Sequence, residues 1–503
     1  MILTKEYIYS LYAQFKRKAM KAVAVQKYDS ALKYLSAACL TAYTFYIGFK
    51  DDEIEELLKT ISKKLYQKTA TTSSINRVVL YDTFSQDSQG LTMQYLDAII
   101  ASGYDLMYIT EFDLNDSRSR LIKRTLQSYE KAEVVSIPSN IKGLKRVQMI
   151  CDTIIGFRAS KLFMHIHPSA VYAVTAFYAL PKEIIKYQIN LTDHTYWVGG
   201  GCMDYIFDWR QYGASLSAYY RGFKKEQIFI LPYYPMMKET PFCGFPKEAD
   251  GKVKIFAGAS YYKIIDEKDS FFKINKAILD TTPEAVTLFA GGGDRQLIER
   301  LIDQYGLKGR FILIGQRNDI FQCFKHSDIY LSTYPLFGGL MGQFAAHAGL
   351  PILALHKEGG GRVEESVCQK TNETISFREL ESLVKEASHL ISDEAYRHQQ
   401  GERMKNCVIS IEEFNEGFSS SIKTNLSPFP VKLREDFKAY DLNVADKLKL
   451  VNQHKQYQLS LYHILPKFLL FSYPNVWLDG FIARIKNSRI GMVFDKISHH
   501  HNK

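Results

Sequence analysis

The chain has no C-x-x-C pair, and its seven cysteines, spread from Cys39 to Cys407, are odd in number. That argues against a disulfide framework or a structural zinc site and fits a reducing compartment, so a cytoplasmic location is expected. It also has no run of about 18 apolar residues, so no membrane-spanning helix is expected. The opening MILTKEYIYSLYAQFKRK lacks a basic start followed by an apolar stretch, so no signal peptide is expected. Charge of one sign is scarce as well. A net +10 over 503 residues is too weak for a nucleic-acid binder. What remains is an ordinary globular composition, 46% hydrophobic and 23% charged. The chain is too long for one core, which predicts two large domains and an extension.

Residues 1–70 read as helices only. YDSALKYLSAACLTAYTFYIGF (28–49) puts Ala31, Leu35, Ala38, Leu40 and Ala42 near one apolar face. DDEIEELLKTISKKLYQK follows with acids first and lysines last, as the helix dipole prefers. One such unit cannot bury its own face, so it should cap the next domain. TATTSS (69–74) reads as a linker. From 77 the pattern alternates: RVVLYDTF, YDLMYIT, AEVVSIP, KLFMHI, IIKYQINL, CMDYIFD and QIFILP read as strands with helices between them. This predicts a parallel sheet with helices on both faces over 77–232. Residues 233–252 hold three prolines without periodicity and read as an interdomain linker. A second alternating series fills 253–420. The expected fold is thus α/β: two Rossmann-like domains with a cleft between them, a helical N-terminal segment and a mainly helical C-terminal extension. That extension, 431–503, carries twelve Lys/Arg against six Asp/Glu and interleaves them with aromatics. It either packs back on the first domain or lies at an anionic membrane surface.

Ligands of such sheets sit beyond the carboxyl ends of the strands, so the loops after strands are the candidates. STYPLFGGLMGQFAAHAGLPILAL (332–355) reads as strand, helix from Gly339 to Ala348, and strand, with Gly349 and Pro351 as stop signals. Gly338, Gly339 and Gly342 either permit close helix–sheet packing or admit a phosphate to bare N–H groups at the helix start. TDHTYWVGGGC (192–202) offers His194 beside Asp193 as a general base. It also offers Tyr196 and Trp197 as sugar-stacking rings, and Gly199 to Gly201 for close approach. HIHPS (165–169) makes His165 and His167 competitors for the base role, with His167 the likelier loop residue beside Pro168. EFDLND (111–116) imitates a metal-binding D-x-D but reads as a solvated loop, and no metal site is expected. SHHHNK at the end reads as a disordered tail.

HSDIYLSTYPLFGGLMGQFAAHAGLPILAL resembles the donor-site segment of GT-B glycosyltransferases, in the variant shared by O-GlcNAc transferase and its bacterial relatives, the capsular and protein glycosyltransferases. FAGASYYKIIDEKDSFFKINKAIL resembles that group's F-x-x-x-Y-K-I segment, whose lysine meets the nucleotide's phosphates, which implies that role for Lys263. INLTDHTYWVGGGCMDYIFD resembles its Gly-rich loop ending in M-D-Y-I, and GGGRVEES (359–366) more weakly resembles a following loop. The segments cover roughly 77–420 in the family's order. The resemblance implies that the GQRN loop meets the nucleobase, with Gln316 near it and Arg317 as a further phosphate cation.

This chain departs from the pattern where the family carries His and two hydroxyl residues. Gly339, Leu340 and Met341 stand there, and Phe344 replaces the ribose-binding acid. Gln343 and Glu365 are the substitutes on offer, and His194 ranks first as base because its segment carries the resemblance. The function implied is transfer of a hexosyl or N-acetylhexosaminyl group from a nucleotide diphosphate sugar, UDP-linked by the resemblance. The acceptor is a glycan, a polyprenol-linked glycan or a protein, with neither metal nor cofactor and with peripheral contact at the inner membrane face. The missing polar residues motivate a second reading, a non-catalytic GT-B binding protein, and a sugar-nucleotide epimerase is the third.

Overall fold

A computed structural model describes residues 4–65, 74–87, 91–237, 240–356, 361–368, 370–371, 373–434 and 478. The segment 431–503 therefore lies outside the described residues apart from 431–434 and Leu478, as do Gly359 and Gly360 and most of the expected linker at 69–74.

The chain divides into two compact units. The first opens with three helices, α1 (Lys5–Ala24), α2 (Tyr28–Phe45) and α3 (Asp52–Ser62). Asp51 caps α3 by accepting from the Glu53 and Ile54 N–H groups. The alternating series follows: β1 (Ser74–Asp82), α4 (Thr92–Ala101), β2 (Asp105–Thr110), α5 (Arg120–Ser128), β3 (Ala132–Ser136), α6 (Gly143–Gly156), β4 (Ala159–His165), α7 (Val171–Ala179), β5 (Ile185–Ile189), β6 (Tyr205–Asp208), α8 (Gln211–Tyr219) and β7 (Ile228–Ile230). The sheet order is β3-β2-β1-β4-β5-β6-β7. The N-terminal helices pack on this unit, α3 against α7 and α2 against α6 and α7. A helical hairpin cannot bury its apolar stripe alone, and here the sheet's own helices cover it.

The second unit contains 208–215 and continues from Ile230. Its elements are β8 (Val253–Gly258), α9 (Ser270–Thr281), β9 (Ala285–Ala290), α10 (Arg295–Gln304), β10 (Phe311–Gly315), α11 (Ile320–Lys325), β11 (Ile329–Leu331), α12 (Gly339–His347), β12 (Ile352–Leu355), α13 (Val363–Val367), β13 (Ser376–Phe377), α14 (Leu380–Ser392), α15 (Glu394–Lys405) and α16 (Ile411–Thr424). The order β10-β9-β8-β11-β12-β13 places β8 and β11 side by side at the centre. Both sheet faces are apolar. Ile255, Ala257, Ile329, Leu331 and Leu353 enter one core, and their neighbours Phe256, Tyr330, Ile352 and Ala354 enter the other. Burial on both faces is why these strands read as unbroken hydrophobic runs.

Candidate functional site

In the second unit the loops after β8, β9, β10 and β11 converge. Tyr261 N–H donates to the Gly292 carbonyl at 2.9 Å, and Gly291 N–H to the Gly315 carbonyl at 2.9 Å. A Cβ on Gly291 would come 2.0 Å from the Ala259 carbonyl oxygen, so glycine is what lets these strand ends close together. Leu336 N–H donates to the Lys263 carbonyl at 3.3 Å, tying the β8 loop to the loop that leads into α12. The Lys263 ammonium has no hydrogen bond or ion pair among the described residues, and burial pushes its pKa below the ordinary lysine value. A cation so placed gains from an arriving anion.

The helix α12 starts one residue after its N-cap, Gly338, which has no side chain to satisfy the first-turn N–H groups, and no acid stands in that turn. It ends in a Schellman motif. Gly349 N–H donates to Ala346 and Leu350 N–H to Ala345, both at 2.9 Å, with Gly349 at φ +76. The glycines at its start divide their work. Gly342 packs: a Cβ there would press on Val367 Cγ2 of α13 at 3.0 Å. Gly339 lies against polar groups, Ser366 Oγ at 2.9 Å and Tyr233 OH at 3.1 Å from a Cβ placed there. Ser366 Oγ is buried without a hydrogen-bond partner among the described residues.

Several predicted donor-site residues are engaged elsewhere. Arg317 grips Asp319 with Nε to Oδ1 at 2.7 Å and Nη2 to Oδ2 at 2.6 Å, and its Nη1 donates to the Gly244 carbonyl at 2.9 Å. This corrects its reading as a free phosphate cation: the guanidinium already has a carboxylate. Gln343, 1% exposed, donates to the Tyr233 carbonyl at 2.6 Å and the Ser366 carbonyl at 3.0 Å. It braces the site from below rather than facing a ribose. Glu365 caps α13 through the Arg362 N–H and lies 3.8 Å from Arg434. Burial raises its pKa against the pull of Arg210 and Arg434. It lines a cavity of 270 Å³ with Arg362, Glu364, Lys432 and Arg434. Phe344, at the position of the family's ribose acid, is buried in the core.

Sequence reasoning missed Arg210. Its buried guanidinium stacks 4.1 Å from the Trp209 ring centre and 5.4 Å from Phe337, the residue before Gly338. The signal was a lone arginine among aromatics just after a strand, DWRQY, which carried no motif.

In the first unit His194 is exposed, and its Nδ1 lies 3.3 Å from Oδ1 of the buried Asp193. Arg221 Nη2 donates to the Asp193 and Thr195 carbonyls at 2.7 and 2.6 Å and fixes the loop. His167 is half-buried, with Nδ1 2.9 Å from Ser169 Oγ, and burial lowers its pKa. His165 is fully buried, its Nδ1 3.1 Å from Asp82 Oδ1, across the in-register pair that joins β1 to β4. Burial works to raise Asp82, but His165, Thr92 and Tyr108 outweigh it and hold the carboxyl below its usual range.

Tyr196 and Trp197 are corrected. They are 0% and 3% exposed, with Tyr196 OH 3.4 Å from Cys39 Sγ of α2, so neither ring is presented to a sugar. The triple glycine is also already filled. Gly199 N–H donates to Glu55 Oε1 of α3 at 2.6 Å, Gly201 N–H also reaches that carboxylate, and Tyr178 OH joins them. Gly200 stands between these donors, where a Cβ would make ordinary contact with the Phe223 and Trp197 rings at 3.8 Å. Glu111 of the D-x-D look-alike pairs with Arg146 at 2.7 Å. Among the described residues, no group of three His, Cys, Asp or Glu side chains gathers as for a metal ion, and no helix is long and apolar enough to cross a membrane.

Two units, each a parallel sheet with helices, make up the architecture of the GT-B glycosyltransferases. Among solved structures, the chain is similar to an O-GlcNAc transferase mutant of Thermobaculum terrenum, at 13% identity and a TM-score of 0.52 over 83% of this chain and 82% of that one. It is also similar to a glycosyltransferase from Rickettsia africae ESF-5, at 12% identity and a TM-score of 0.52 over 70% of this chain and all of that one. At such identities the likeness is one of fold. No family model matches the chain, and no curated protein does.

Proposed function

We propose that the chain is a glycosyltransferase that binds a nucleotide diphosphate sugar, UDP-linked in our reading, on its second unit. One observation carries this: the uncapped N-terminus of α12 and the unpartnered ammonium of Lys263 lie on two loops joined by the Leu336–Lys263 hydrogen bond. N–H groups at a helix start and a desolvated cation are the elements that hold a diphosphate and stabilise it as a leaving group without a metal. His194, oriented by Asp193, would act as general base toward an acceptor hydroxyl if the reaction inverts. The acceptor is a glycan, a polyprenol-linked glycan or a protein. A second reading, a non-catalytic binding protein, is favoured by the lack of any carboxylate on α12 and by the engagement of Gln343 in structural hydrogen bonds.

A nucleotide-sugar panel scored by thermal shift tests the donor site. Stabilisation by a UDP-sugar that disappears in Lys263→Ala is expected. If no nucleotide or nucleotide sugar raises the melting temperature, the donor reading fails. Binding without hydrolysis or transfer across an acceptor panel would select the second reading.

A further inference from the structure

The outer face of α1 is built differently from a solvated helix face. At about 100° per residue, Tyr9, Ala13, Met20 and Ala24 fall within about 60° of one another. All four are exposed, Tyr9 and Met20 at 41% each. The opposite side, Ile8, Leu11, Phe15, Ala19 and Ala22, is buried in the first unit. Helices of globular proteins place polar residues where α1 places this apolar strip.

Basic side chains flank the strip. Lys5 lies on one side and Arg17 and Lys21 on the other, with Lys27 just beyond the helix. Residues 4–34 hold seven Lys/Arg against two acids, Glu6 and Asp29. Asp29 does not offset them on this face, because its Oδ1 accepts from Leu144 N–H at 2.8 Å. Glu6 is the one acid on the strip's face. Lys16 is paired with Asp51 and Glu53, but Arg17, Lys21 and Lys27 form no ion pair among the described residues. An apolar line rimmed by unpaired cations suits a surface whose anionic groups stand above an apolar layer.

We propose that the outer face of α1 docks on anionic phospholipid bilayers, with Tyr9 and Met20 entering the headgroup–acyl boundary and Arg17, Lys21 and Lys27 meeting the lipid phosphates. This goes beyond the donor-site reading and does not depend on it.

The test is co-sedimentation of the full chain with phosphatidylcholine vesicles, with and without about a third phosphatidylglycerol. Binding to the anionic vesicles alone, released as salt rises, is expected. Arg17→Glu with Lys21→Glu should weaken it at least tenfold, and Tyr9→Ser with Met20→Ser severalfold. All four positions are at the surface, so the melting curves should not move. Arg17→Gln with Lys21→Gln, a milder change, should give an intermediate loss. The proposal is overturned if the wild type stays in the supernatant when anionic vesicles are pelleted, as a surface made for an acidic protein would. It is equally overturned if the charge-reversed chain binds as well as the wild type, which would place membrane contact elsewhere in the molecule.

Discussion

Two glycine-rich segments in this chain have the same local chemistry and opposite fates. At 199–201, in the first unit, the backbone N–H groups are turned toward an anion that the protein itself provides, the carboxylate of Glu55. At 338–342, in the second unit, the glycines open the start of a nine-residue helix whose first turn has no side-chain cap. A run of glycines tells that N–H groups can be approached. It does not tell which anion approaches. The first segment is a structural joint, and the second leaves first-turn N–H groups without a side-chain cap, where we propose that the diphosphate binds.

The sharpest way to break this contrast is to empty the filled loop. Glu55→Ala leaves the Gly199 N–H, on a buried residue, and the Tyr178 hydroxyl unsatisfied and strips the Gly201 N–H of its carboxylate, and should cost about 3 kcal/mol in chemical denaturation. A loss under about 1 kcal/mol would mean that the carboxylate does not hold the joint. Lys263→Ala should weaken UDP binding about a hundredfold, or about 2.7 kcal/mol, by calorimetry, with little change in melting temperature. Gly339→Ala, which pushes a methyl toward Ser366 Oγ and Tyr233 OH, should weaken UDP about tenfold. Ser366→Ala in the same chain should recover part of that loss, since it removes the clash.

The smallest effect is in pH. Burial raises the Glu55 pKa against its hydrogen bonds, so the folded state binds the proton more tightly than the unfolded state does. Its contribution is fully present below the ordinary glutamate value, about 4.3, and is lost as pH rises through the folded value. Between pH 4 and 7 the wild type should therefore lose more stability than Glu55→Gln. Parallel stability curves for the two proteins would contradict this.

The alternating strands and helices were legible because both sheets are buried on both faces, which writes VVLYD, VKIFAG and AVTLFA as continuous apolar runs. The limits of α12 were legible to within a residue from Gly339 and from the Gly349 and Pro351 stop signals. The site was less so, because a residue type does not declare its partner. Arg317 looked like a phosphate ligand, but Asp319, two residues on, takes it. Tyr196 and Trp197 looked like sugar platforms, but α2 and α3 lie over their loop. Contacts made across more than a hundred residues leave no local pattern, and Arg210 beside Phe337 was invisible for the same reason.

The Glu55 contact has one more consequence. Toward the first sheet, the three opening helices act as a tethered ligand does toward its receptor. Their carboxylate competes for the 199–201 nest at the effective concentration of an intramolecular partner, in the millimolar range or above. Only loss of the helices or of Glu55 would turn that loop into an anion receptor, a second beside the one we propose at the start of α12.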